Sequence, residues 1–123
     1  TVARLLEDAA SERGTARRAM VEGYRVAGKT GTTQKIVDGR YSTREHVGSF
    51  TGFFPADNPQ VAITVIVDGG RPASGGLGYG GVVAAPSFRE IAMKLIPHYA
   101  IAPAPAASRY AQYETLSAGP EGD

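Results

Sequence analysis

The chain has 123 residues, 42% apolar and 20% charged, with 13 Lys and Arg against 12 Asp and Glu for a net charge of +1. That is ordinary usage for a soluble globular domain and excludes a wholly disordered chain. The absence of Cys excludes a disulfide-stapled mini-protein, and the lack of any long run of like charge gives no reason to expect nucleic acid or an anionic membrane as partner.

Sixteen Gly and eight Pro predict many turns and close backbone approaches. No secretory signal is visible and the first residue is Thr1, so the chain reads as a segment of a longer protein. Its longest β-rich apolar run, Val61 to Val67, is far too short to cross a bilayer as a helix. Absence of Cys fits an oxidising space but does not assign one.

Thr1 to Ala10 carries Val2, Leu5, Leu6 and Ala9 at the spacing of one helical face. Gly14 and Thr15 end that helix, and Ala16 to Gly23 is polar and mixed. Tyr24 to Thr33 reads as a strand, rich in small and β-branched residues. Asp38-Gly39 marks a turn, because both residues accept positive φ.

His46 to Pro55 predicts a second strand, with Phe50 and Phe54 on one face and Val47 and Phe53 on the other. Phe50, Phe53 and Phe54 are candidate core residues. Asp57-Asn58-Pro59 supplies a turn, and Val61 to Val67 reads as an inner strand covered on both faces. Short turns between three strands predict an antiparallel meander.

A Gly-rich loop, Gly69 to Gly81, precedes the clearest helix. Pro86 suits its first turn, and Phe88, Ile91, Ala92, Leu95, Ile96 and Tyr99 form its apolar stripe. From residue 100 Ala, Pro, Ser and Gly dominate. Residues 100–123, and Pro103 to Asp123 above all, are expected to be a disordered tail or linker. The fold class expected is α+β: three strands of an antiparallel sheet that continues into strands outside the chain, covered by the N- and C-terminal helices.

Three motifs compete. Gly23-Tyr24-Arg25-Val26-Ala27-Gly28-Lys29-Thr30 satisfies the P-loop pattern, and Val61 to Asp68 imitates its Mg²⁺-holding partner strand. A P-loop needs a buried strand before it and a helix N-terminus after it to aim N–H groups at phosphate. Here Thr15 to Glu22 makes a poor strand and Gly31-Thr32-Thr33 a poor helix start. Gly76-Leu77-Gly78-Tyr79-Gly80-Gly81 matches a dinucleotide fingerprint, but too far past its strand and with no acidic residue about twenty positions on.

The third motif is Lys29-Thr30-Gly31, extended to Thr32. In a strand, Thr30 and Thr32 project their hydroxyls to one side, and Gly31 removes bulk that would hold a ligand off the backbone. Such an edge can pair with an extended peptide while two hydroxyls bind its carboxylate. Lys29 adds a positive charge and a proton-handling ammonium.

Tyr24-Arg25-Val26-Ala27-Gly28-Lys29-Thr30-Gly31-Thr32 resembles the third active-site motif of penicillin-binding proteins, the strand they share with serine β-lactamases. Ser49-Phe50-Thr51-Gly52-Phe53-Phe54-Pro55-Ala56 is similar to the next strand of the class B members. Tyr79-Gly80-Gly81-Val82-Val83-Ala84-Ala85-Pro86-Ser87-Phe88-Arg89-Glu90-Ile91 resembles the loop and helix that close their transpeptidase domain. The resemblance runs from about Thr1 to Ile96 in the family's order. It makes residues 1–99 the C-terminal part of a transpeptidase domain and leaves the tail outside.

The resemblance implies a peptidoglycan D,D-transpeptidase as parent, acting on stem peptides that end in D-Ala-D-Ala and open to β-lactams, with no metal or cofactor. Lys29 would face the cleft and help carry protons, Thr30, Gly31 and Thr32 would bind the terminal carboxylate, and the Thr32 N–H would donate to the oxyanion hole. It implies a parent outside the cytoplasm, anchored by a transmembrane helix beyond this segment, with the segment itself touching no membrane. The chain departs from the family in holding no Ser-x-x-Lys and no Ser-x-Asn. It is therefore expected to be inactive alone and to need the part of the domain that carries the Ser-x-x-Lys motif. A non-catalytic module that binds a peptide or partner through a similar strand edge is the alternative, with a P-loop fragment behind it.

His46 opens a strand with no carboxylate partner at an obvious spacing and reads as a satisfied structural histidine. Arg17 and Arg18 read as a solvated face, and Gly52 as a close approach to a neighbouring strand. Arg71 and Tyr79 in the Gly-rich loop are candidate substrate contacts.

Overall fold

A computed structural model describes residues 1–105. In chain order it comprises helix α1 (Val2–Ala10), a 3₁₀ turn (Arg17–Ala19), strands β1 (Ala27–Val37), β2 (Arg40–Phe54) and β3 (Val61–Asp68), a short helix α2 (Gly80–Val83) and helix α3 (Ala85–His98). The strands form one antiparallel sheet in the order β1-β2-β3, with the helices against it, so the α+β meander is as expected.

Asp38 and Gly39 connect β1 to β2 as a two-residue turn with φ of 52° and 75°, flanked by the pair Val37↔Arg40. Two positive φ values match the right-handed twist of the strands, so this turn carries pairing outward into polar sequence. Both strands therefore run longer than alternation alone predicts. A register shift between Gln34 and Ile36 interrupts the ladder near the tip.

The core lies between the sheet and α3. Phe50, Phe54 and Phe88 are fully buried, with the Phe88 ring edge-on to Phe50 at 4.8 Å and to Phe54 at 6.2 Å. Burying each such ring contributes about 2–3 kcal/mol. Gly52 makes room for them: a Cβ there would stand 2.8 Å from the Phe50 ring and 3.1 Å from the Phe88 ring. The close approach is therefore to aromatic rings as well as to a strand. Phe53 points to the other face and is only half-buried.

Three expectations need correction. Strand β3 is not an inner strand here: Val61, Ile63, Val65 and Val67 pack towards the core, while Ala62, Thr64 and Ile66 are exposed, Ile66 at 66%. The continuous apolar run hid that alternation, and β2 is the central strand. On α1, Val2 and Leu5 are 72% and 69% exposed, and burial falls on Leu6, Ala9 and Ala10. On α3, Phe88 and Ala92 carry the buried face, whereas Ile91 and Tyr99 are exposed, because the three-stranded sheet covers only part of the stripe.

The mixed stretch after α1 contributes more core than its polarity suggests. Ala16, Ala19 and Val21 are buried, with Arg17 and Arg18 exposed between them. Glu7 on α1 accepts hydrogen bonds from the Arg25 guanidinium at 2.8 and 2.9 Å, and this bond holds the Arg25 pKa above its ordinary value. The first residues of the expected tail pack against the body of the chain. Ile101 and Ala104 are buried, the Tyr24 hydroxyl donates to the Ile101 carbonyl at 2.8 Å, and the Ala104 N–H donates to the Gly23 carbonyl at 2.9 Å. The rest of the expected tail, residues 106–123, lies outside the described residues.

Candidate functional site

Lys29, Thr30, Gly31 and Thr32 lie in β1, a strand with no neighbour on its outer edge among the described residues. They pair with Thr51, Phe50, Ser49 and Gly48. Because Phe50 faces the core, the alternation puts Thr30 and Thr32 on the helix side of the sheet and Lys29 and Gly31 on the open side. The segment runs straight through Gly28 as strand, with no helix after Thr30, which removes the geometry a P-loop requires.

Each threonine hydroxyl is held by a residue distant in sequence. Thr30 Oγ1 is 3.1 Å from Thr15 Oγ1 in the turn after α1. Thr32 Oγ1 accepts the backbone N–H of Gly80, the first residue of α2, at 3.2 Å. Having accepted there, the Thr32 hydroxyl keeps its proton to donate, and the residue is exposed. Lys29 is exposed too, and its Nζ turns back to the Thr30 carbonyl at 3.1 Å and to Thr30 Oγ1 at 3.5 Å. An ammonium drawn over Thr30 and a hydroxyl proton on Thr32 therefore stand along one open edge, a donor set suited to an anion.

Gly80 is required for this arrangement. A Cβ on it would collide with the Ser49 carbonyl and lie 2.5 Å from the Gly31 carbonyl, so only glycine lets α2 come down onto β1 and β2. Reading the sequence missed Thr15 and Gly80 as partners of the two threonines. The Gly80-Gly81 doublet ahead of a helix was a usable signal for the second; nothing marked Thr15.

His46 is 6% exposed and packs its ring against Tyr79 at 5.7 Å, but its buried Nδ1 has no hydrogen-bond partner among the described residues, so it is not the satisfied histidine expected. Tyr79 is 49% exposed and directly precedes Gly80, the residue that bonds Thr32, while its ring packs on His46. Arg71 lies elsewhere, in a small cavity of about 80 Å³ with Lys35, Arg44, Glu45 and His46. Beside it the Lys35 ammonium meets the Asp68 carboxylate at 2.8 Å, and that hydrogen bond raises the Lys35 pKa. Among the described residues no group of three or more His, Asp or Glu could hold a metal ion.

Residues 1–93 match the family described as the penicillin-binding protein transpeptidase domain. Stage V sporulation protein D of Bacillus subtilis is 46% identical over 98 residues, which is 80% of this chain and 15% of that protein. A probable peptidoglycan D,D-transpeptidase, PenA of Neisseria flavescens, is 49% identical over 78 residues, 63% of this chain and 19% of that one. Among solved structures, the TP domain of Burkholderia pseudomallei penicillin-binding protein 3 superposes with a TM-score of 0.70 at 37% identity, over 82% of this chain and 30% of that one. Penicillin-binding protein 3 of Mycobacterium tuberculosis, complexed with ampicillin, gives a TM-score of 0.73 at 33% identity, over 85% and 25%. The chain thus spans less than a third of the length of each of these relatives. With the match over residues 1–93 and the shared fold, it belongs to the penicillin-binding protein transpeptidase family, as part of a class B transpeptidase domain.

Proposed function

We propose that this chain supplies the carboxylate-binding strand of a serine-type peptidoglycan D,D-transpeptidase. The observation that carries the reading is the exposed edge of β1, where the Thr32 hydroxyl is held from behind by the Gly80 N–H and left free to donate. Thr30 and Thr32 bind the terminal carboxylate of the acyl donor, or that of a β-lactam, with Gly31 allowing close approach. Lys29 supplies positive charge and moves a proton at the cleft. The Thr32 backbone N–H donates to the oxyanion of the tetrahedral intermediate.

The reaction needs a serine to attack the penultimate carbonyl, release the terminal D-Ala and pass the acyl group to an amine. No Ser-x-x-Lys or Ser-x-Asn occurs in this chain, so those groups come from the rest of the domain, and residues 1–99 are inactive by themselves. That remainder meets this chain at the outer edge of β1, beside Lys29 and Thr32. No helix among the described residues is long and apolar enough to cross a membrane, and on this reading the parent works outside the cytoplasm on an anchor beyond this segment.

Labelling of the full-length protein with a fluorescent penicillin tests this. Lys29→Ala should slow acylation by about 100-fold, the scale of one lost proton-transfer group. Thr30→Val and Thr32→Val should each slow it by about tenfold, the value of one hydrogen bond to a charged group, because valine keeps the backbone N–H and the strand. Wild-type rates in all three variants overturn the assignment. Labelling of the isolated chain overturns the claim that it is inactive alone.

A further inference from the structure

His46 meets both ends of the Gly-rich loop. Its carbonyl accepts the N–H of Gly69, where the loop begins, at 3.0 Å. Its ring packs on Tyr79, where the loop ends, with centroids 5.7 Å apart and planes tilted by 59°. Tyr79 in turn starts α2: its carbonyl accepts the N–H groups of Val82 and Val83 at 2.8 and 3.0 Å, and the residue after it binds the Thr32 hydroxyl. Two steps therefore join a buried imidazole to the proposed carboxylate clamp.

The sheet register fits this linkage. His46 pairs with Gln34, two residues along from the pair Thr32↔Gly48, so it sits about 7 Å down the ladder from the threonine. His46 Nδ1 is buried without a hydrogen-bond partner among the described residues. That nitrogen therefore makes no bond that steers the loop.

We propose that His46 is a positioning residue that holds Tyr79, and through it Gly80 and the Thr32 hydroxyl, in the arrangement that receives the acyl donor. The proposal rests on the reading of the site given above. Removing the ring lets Tyr79 tip inward, swings the start of α2 and withdraws the Gly80 N–H that orients the Thr32 hydroxyl. Packing at one end of the loop is thereby converted into hydrogen-bond geometry at the other.

A double-mutant cycle on the full-length protein tests it, with the acylation rate by fluorescent penicillin and the melting temperature read together. His46→Ala should slow acylation by about fivefold, and Tyr79→Ala by a similar factor. In the Tyr79→Ala background, His46→Ala should add less than about twofold, because the ring it supports is already gone. His46→Phe, which keeps the flat ring and drops the unpaired nitrogen, should restore most of the rate. If His46→Ala does not fold, His46→Leu takes its place in the same cycle. Multiplying effects of the two alanine variants, or wild-type acylation in His46→Ala or its leucine substitute, overturn the proposal. Failure of the site reading looks different: Thr30→Val and Lys29→Ala would then acylate normally, whatever the cycle shows.

Discussion

The two faces of the sheet are built from different chemistry although they share every strand. On the helix side, Phe50, Phe54 and Phe88 interlock edge to face and exclude water. On the other side stand Lys29, Thr51 and Thr64, whose two threonine hydroxyls pair at 3.1 Å, together with an exposed Ile66. The first face is where the described part of the molecule gets its stability. The second is a surface on which side chains stay available, and the proposed site sits where the two meet, at the edge strand whose threonines belong to one face and whose lysine starts from the other.

That contrast can be broken from the stable side first. Phe88→Ala removes the ring that touches both Phe50 and Phe54 and should cost about 3–5 kcal/mol, seen as a fall in denaturation midpoint of the protein carrying this chain. Glu7→Gln takes the carboxylate from a part-buried guanidinium and should cost about 1–2 kcal/mol. The pair raises the Arg25 pKa, so while the Glu7 carboxylate is ionised its contribution is complete below the unfolded guanidinium value and is lost only as pH rises through the folded one. The effect of Glu7→Gln should therefore stay flat through the neutral range. Ile66→Thr on the open face should change stability by less than about 0.5 kcal/mol if that face is free. A large loss there would show that another part of the parent covers Ile66.

The sequence was most readable where a single local rule decides the outcome. Asp38-Gly39 forecast its turn because few other residues take two positive φ values, and Pro86 forecast the start of α3. Lys29 to Thr32 was placed in a strand by its β-branched residues and the missing helix signals. Less readable were features set by distant partners. The run Val61 to Val67 looked buried on both faces because apolar side chains do not announce which of them meets a neighbour. Ala16, Ala19 and Val21 entered the core from a polar stretch, Ala19 on the 3₁₀ turn that packs against α3. Around the candidate site, the strand placement of Lys29 to Thr32 was legible, whereas the partners Thr15 and Gly80 were not, since each meets its threonine only after the chain has folded back.

The two hydrogen bonds that tie the segment after α3 to the residues ahead of β1 have a mechanical meaning. Ala104 is tied to Gly23 and Ile101 to Tyr24, immediately upstream of the strand that carries Lys29. Tension applied beyond residue 105 would load those two bonds before it reached the sheet. Such a pull would therefore arrive at the lead-in to β1, three residues ahead of the strand's first rung at Ala27, before it reached α3.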